Sequence, residues 1–179
     1  MQRWRLDDGR QTLVLAARRT RLPEVIYWGA PLPATDNLET LADAHRLDVT
    51  GGMLDENPDL SICPEAVRTF PGQPGLILRA HDGTPLLPKF CYAAQETTEH
   101  SITLTYADDA NGLTYRAEIT LDPDTHVLTL TSEINAETPV HLHWLSAPVL
   151  PAPQNSEEMI DVSGRWCGEF QLNKTAWSP

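Results

Sequence analysis

The chain has little with which to cross a membrane, grip a nucleic acid or staple itself with disulfides. It contains no run of about 18 apolar residues, roughly the least that spans a bilayer as a helix. Its N-terminus, MQRWRLDDGRQ, lacks the apolar stretch of roughly 7–15 residues that a secretory leader needs, so a cytoplasmic protein with no membrane partner is expected. Cysteine is scarce: three in 179 residues, Cys63, Cys91 and Cys167. An odd number with no CxxC argues against a disulfide framework or a structural zinc site, and fits free thiols in a reducing compartment. Positive charge is scarce too, with 13 Lys and Arg against 25 Asp and Glu and a formal net charge of -12. Six of those bases, Arg3, Arg5, Arg10, Arg18, Arg19 and Arg21, lie in the first 21 residues, so the remainder is more acidic still. Such a surface repels a phosphate backbone, and no nucleic-acid partner is expected; the arginines read as solvated strand faces. Signatures of several chemistries are missing: there is no GxSxG, no P-loop and no GxGxxG. No cofactor is implied.

What the sequence does contain is alternation. LTYRAEITL (113–121) places Leu113, Tyr115, Ala117, Ile119 and Leu121 on one face and Thr114, Arg116, Glu118 and Thr120 on the other. SITLTYAD (101–108) and VLTLTSEI (127–134) repeat the pattern, and DANG and DPDTH supply the turns between them. QTLVLAA, EVIYW, FCYAAQET and VHLHWLSAPVL (140–150) read as further strands, and LILRAHDGTPLLPKF contains one more followed by an Asp-Gly turn at 82–83. A period of two with one polar face per strand predicts antiparallel sheets packed on a second layer, an all-β sandwich. The exception is residues 29–75, rich in Pro and Gly and too apolar for plain disorder, which predicts a long ordered loop. Within it NLETLADAH (37–45) predicts one short helix capped at Asp36 or Asn37, with Leu38, Leu41 and Ala42 on one face.

Several clusters invite a chemical reading. His141 and His143 share a strand face at metal-ligand spacing, but no third ligand is signalled and packing is the simpler account. Asp55, Glu56 and Asp59 lie in a loop behind paired glycines without the calcium-loop pattern, so they read as loop carboxylates or as contacts to a polar partner or sugar. Glu157, Glu158 and Asp161 are carboxylates too close in sequence to predict the separated pair that glycoside chemistry uses. Cys167 has no histidine signalled as a base. Trp28 and Trp166 each stand beside or near glycine; such rings serve as sugar platforms or as anchors sealing an interface, and Trp177 invites the second reading.

YWGAPLP (27–33), GGMLDENP (51–58), FPGQPGL (70–76) and LPAPQNSEEMIDVSGRWCGEFQ (150–171), in this order, resemble the N-terminal domain of bacterial α-galactosidases of glycoside hydrolase family 36, most strongly over 24–171. The resemblance implies a β-supersandwich over 1–170, with 171–179 beginning a linker toward a catalytic (β/α)8 barrel. It implies a non-catalytic part of an enzyme that hydrolyses terminal α-galactosides of the melibiose and raffinose type. The family's catalytic aspartates lie on the barrel and match nothing here, so the chain alone is expected to be inactive. The implied partners are its own barrel, the α-galactoside bound there, and further copies in a homo-oligomer. Asp55 matches a loop that can reach a neighbouring subunit's active-site mouth, and Asp55 and Trp28 are the expected substrate-adjacent residues. Arg165, Trp166, Glu169 and Trp177 are expected at the interface with the barrel, and GRWCGEF is expected to end a strand and lead into the linker. Two other readings stay open: a lectin-like sandwich that holds sugar through Trp28, and an assembly domain without a hydrolase.

Overall fold

The computed structural model of the chain describes residues 1–45, 58–152 and 156–177. In chain order the elements are β1 (Gln2–Asp7), β2 (Thr12–Ala17), β3 (Glu24–Gly29), α1 (Leu38–Ala44), β4 (Leu76–Ala80), β5 (Pro85–Leu86), β6 (Cys91–Thr97), β7 (Ser101–Asp108), β8 (Leu113–Leu121), β9 (Leu128–Ala136), β10 (Val140–Leu145), β11 (Glu158–Arg165) and β12 (Gly168–Ala176). Every strand pairing is antiparallel. The sheets run β1-β2-β3, β6-β7-β8-β9 and β10-β4-β5, with β11-β12 as a separate ribbon. The chain divides into two compact units, Met1–Val149 and Leu150–Pro179.

The larger unit takes its core from the alternation in the sequence. On β8 the predicted inner residues Leu113, Tyr115, Ala117, Ile119 and Leu121 are all buried, and the outer ones are half-buried. Tyr106 on β7 pairs directly with Tyr115, and both rings are fully enclosed. From the facing sheet come Trp4, Leu6, Leu13 and Leu15, brought to one side by the pairings Trp4↔Leu15 and Leu6↔Leu13. Trp4 Nε1 donates to Gln95 Oε1 at 2.8 Å and ties β1 to β6. Each large aliphatic or aromatic side chain buried in this way stabilises the fold by about 1.5–3 kcal/mol before ordering costs.

Strand β2 is buried at all six positions because both its faces are covered. Val14 and Ala16 point away from Leu13 and Leu15, and together with Ile26 they receive Leu38, Leu41 and Ala42 of α1. Asn37 starts that helix, its side-chain oxygen accepting from the amides of Glu39 and Thr40 at 2.9 and 3.3 Å. The arginines of β1 serve this side of the sheet: Arg3 reaches Glu39 at 3.4 Å, and Arg5 donates to the carbonyls of Leu32 and Pro33.

Part of the predicted long loop is ordered by backbone bonds. Ile62 N–H donates to Pro23 at 2.9 Å and Val149 N–H donates to Ile62 at 2.8 Å, with a bridge between Glu24 and Ser61. Gly75 is required where this segment returns: a Cβ there would stand 2.9 Å from Cys63 Cα and 2.7 Å from its Sγ.

The smaller unit departs from expectation. GRWCGEF does end a strand at Arg165, but the chain then turns through Trp166 and Cys167 and runs back as β12, so 171–176 is strand. Gly164 makes the bend possible, since a Cβ on it would lie 2.7 Å from Glu169 Cα.

Candidate functional site

The β11-β12 ribbon has two chemically different faces. The register pairs Val162 with Leu172 and Ile160 with Lys174, which puts Ile160, Val162 and Leu172 on one side. All three are exposed. The other side carries Asp161, Ser163, Gln171 and Asn173, and Asn173 donates to Asp161 at 2.7 Å and to Ser163 at 2.9 Å. On that side Asp161, Ser163 and Asn173 are bonded to one another, while Ile160, Val162 and Leu172 stand exposed on the other, beside the Lys174–Glu158 ion pair at its far end. At the tip Trp166 is 92% exposed and Phe170 88%. Two strands in isolation are marginal in water, and an apolar surface of this kind marks a contact site. Of the residues expected at an interface, Trp166 sits in the turn, Arg165 pairs with Gly168 at the end of β11, and Glu169 accepts from Cys167 N–H at 3.3 Å. Trp177 is half-buried just past β12, its backbone N–H bonded to Glu157 at 2.9 Å. Phe170 was not singled out in the sequence, because it falls where the bulge breaks the alternation.

A second cluster surrounds Trp28. Its ring is 41% exposed, and its Nε1 donates to Gln11 Oε1 at 3.0 Å. Gln11 Nε2 in turn donates to the His126 carbonyl at 2.7 Å. His126 Nδ1 meets Asp8 Oδ2 at 2.9 Å, and the Asp8 side chain is fully enclosed. Burial opposes charge on Asp8, but the amides of Gln11 and Arg10 and the His126 ring outweigh it and hold the carboxyl well below the usual carboxylate range. His126 has a φ of 61°, a left-handed conformation that costs a non-glycine residue energy. Trp28 was visible in the sequence; Gln11, His126 and Asp8 come from three separate stretches and were not.

The remaining candidates resolve into local structure. His143 is the extra residue of a bulge on β10, so Trp144 (opposite Ile77) rather than His143 shares the face of His141 (opposite Arg79). His141 stacks on His81 with ring centroids 5.8 Å apart. Among the described residues no group of three or more His, Cys, Asp or Glu could hold a metal. Glu158 pairs with Lys174 at 3.1 Å across the ribbon, Asp161 bonds Asn173, and Asp59 pairs with Arg21 at 3.0 Å. Cys167 is exposed in a turn with φ 64°. Cys63 is buried, and burial, with Glu65 nearby, pushes its thiol up to about 12. Glu65 is itself raised by burial, against the pull of Arg68 and the Phe90 amide that donate to it. Asp55 and Glu56 lie outside the described residues.

Three comparisons bear on this arrangement. A family model described as the glycosyl hydrolase family 36 N-terminal domain matches residues 21–179. An α-galactosidase of Escherichia coli is 28% identical across 95% of this chain and 23% of its own length. The family 36 α-galactosidase AgaB of Geobacillus stearothermophilus superposes with a TM-score of 0.74 at 15% identity, covering 98% of this chain and 27% of that one. An α-galactosidase of Lactobacillus brevis gives a TM-score of 0.68 at 13% identity, covering 99% and 27%. At these identities the two structural likenesses show a shared fold. The chain spans about a quarter of the length of these relatives.

Proposed function

The chain belongs to the glycosyl hydrolase family 36 N-terminal domain family, and from that premise we propose that it is the non-catalytic sandwich of an α-galactosidase acting on terminal α-galactosides of the melibiose and raffinose type. Its role is to support a catalytic barrel and the assembly of subunits. The observation that carries this reading is the β11-β12 ribbon, where Asn173 bonds Asp161 and Ser163 on one face while Ile160, Val162 and Leu172 on the other and Trp166 and Phe170 at the tip are exposed. A surface built that way is complete only when a second body covers it. The family model that matches describes an N-terminal domain, so hydrolysis is assigned to a separate barrel and the chain alone is expected to be inactive. Three unpaired thiols favour a reducing compartment, which supports a cytoplasmic location.

The test is the size and activity of the native product, captured from its own host with an antibody raised against this chain. A product about four times the length of this chain, with α-galactosidase activity retained on the antibody, is the expected result. A product of this chain's own length carrying no such activity would remove the hydrolase from the account.

A further inference from the structure

We propose that β9 is an open edge that takes one further β-strand from the same enzyme, supplied by the polypeptide outside these 179 residues. Sheets guard their edges with bulges, charges or very short strands, because an unpaired row of N–H and C=O groups invites pairing. Among the described residues of the larger unit every other edge is guarded. β3, β6 and β10 each carry a bulge, with Ile26, Ala93 and His143 as the extra residues. β5 has only two residues, and β1 carries Arg3, Arg5 and Asp7. β9 closes the sheet β6-β7-β8-β9 and has none of these devices. Its sequence, LTLTSEINA, has one charge, Glu133, and it pairs with β8 over nine residues without a bulge. No other strand pairs with it among the described residues.

The core points to the same place. Leu121, Ile119 and Tyr115 on β8 are fully buried, whereas their partners across the pairing, Leu128, Leu130 and Ile134, are half-buried. The core therefore stops one strand before the sheet does. A strand beside β9 bonds its free main-chain groups, extends the inner face and brings alternate apolar side chains against Leu130 and Ile134. Opposite Glu133 it carries a neutral or basic residue, since like charges across a pair are destabilising. The source of the strand follows from length. This chain spans about a quarter of the length of its relatives. A strand tethered in the same polypeptide pairs at an effective concentration of about a millimolar, ahead of one arriving from solution. That choice of source rests on the function proposed above; the open edge rests on residues of this chain alone.

The experiment is amide hydrogen exchange, resolved to single residues by mass spectrometry, on this chain and on the native product. In the chain alone every second amide of β9 is turned away from β8 and exchanges quickly. In the native product those same amides slow by about a hundredfold or more. Leu130→Lys, made in both, tests the seam a second way. In the chain alone the long stem carries its ammonium past the open edge, and exchange on β8 is unchanged. In the enzyme the charge lies under a further strand, and the β9 amides return to fast exchange. The comparison of the two unmutated proteins stands even if this variant fails to fold. A native product with α-galactosidase activity whose β9 amides exchange as fast as in the chain overturns the strand and leaves the proposed function standing. A longer product with β9 protected but no such activity does the reverse. Protection of β9 that rises with the concentration of the chain alone overturns the choice of partner, because a second copy then fills the edge. A product of this chain's own length overturns both.

Discussion

The side chains of Asp8 and His126 meet at 2.9 Å although 118 positions separate them in the chain. The contact pins the β1-β2 turn to the β8-β9 turn. Asp8 is held charged by the Gln11 and Arg10 amides and the His126 ring, against its burial. A carboxyl whose folded pKa lies below its unfolded value of about 3.9 contributes stability that is whole above the unfolded value, and loses it as pH falls through the folded one. Thermal unfolding followed from pH 7 downward should therefore show the melting temperature dropping below about pH 4. Asp8→Asn should be less stable than the parent at pH 7 and should show a shallower acid slope. A variant with the parent's slope would mean that Asp8 is not the group responsible.

Asn37 and α1 give a second prediction. The helix is seven residues long and holds its place by packing Leu38, Leu41 and Ala42 on β2 and β3. Its first free amides are satisfied by one side chain, so Asn37→Ala should cost about 1 kcal/mol, read as a lower urea midpoint at unchanged slope. Asn37→Asp should recover most of the loss, because a carboxylate caps equally well and adds negative charge at the helix start.

Gly75 gives a third. Alanine there would press on Cys63, including its backbone Cα at 2.9 Å, and Cys63 cannot retreat freely because the adjacent Ile62 is held by backbone bonds to Pro23 and Val149. Gly75→Ala should destabilise the larger unit by roughly 1–3 kcal/mol. Gly83, where a Cβ would meet nothing within 4 Å but φ is 88°, should show only the smaller cost of a left-handed alanine.

These elements differ in how plainly the sequence announces them. β8 was legible because its alternation is unbroken for nine residues, and α1 because Asn37 precedes an apolar stripe at helical spacing. The return strand β12 was not, because its turn is Trp166-Cys167 instead of an Asn-Gly pair and Cys167 takes the left-handed position itself. The bulge opposite Gly164 then interrupts the alternation between Gly168 and Gln171, so no unbroken period of two announces the strand. His143 misled for the same reason: one extra residue on β10 broke the period of two. Trp28 stood out by its glycine neighbour, but Gln11 and His126 reach it only through the pairing of distant turns, which no local pattern encodes.

The bare face of the ribbon carries the last prediction. Val162 and Leu172 sit opposite each other and exposed, so replacing both with threonine keeps strand propensity and removes apolar surface. Little is buried there in the chain alone, and its unfolding free energy should move by no more than about 0.5 kcal/mol. Association should move far more. Sedimentation velocity over a concentration series should show the parent chain self-associating as it is concentrated and the double variant remaining monomeric. In the assembled enzyme, Trp166→Ala should weaken the contact by about 2 kcal/mol or more, since an aromatic tip that is wholly exposed when free has the most surface to lose. A parent chain that stays monomeric throughout, together with a Trp166→Ala enzyme assembling as well as the parent, would show that this face meets neither another copy nor the barrel.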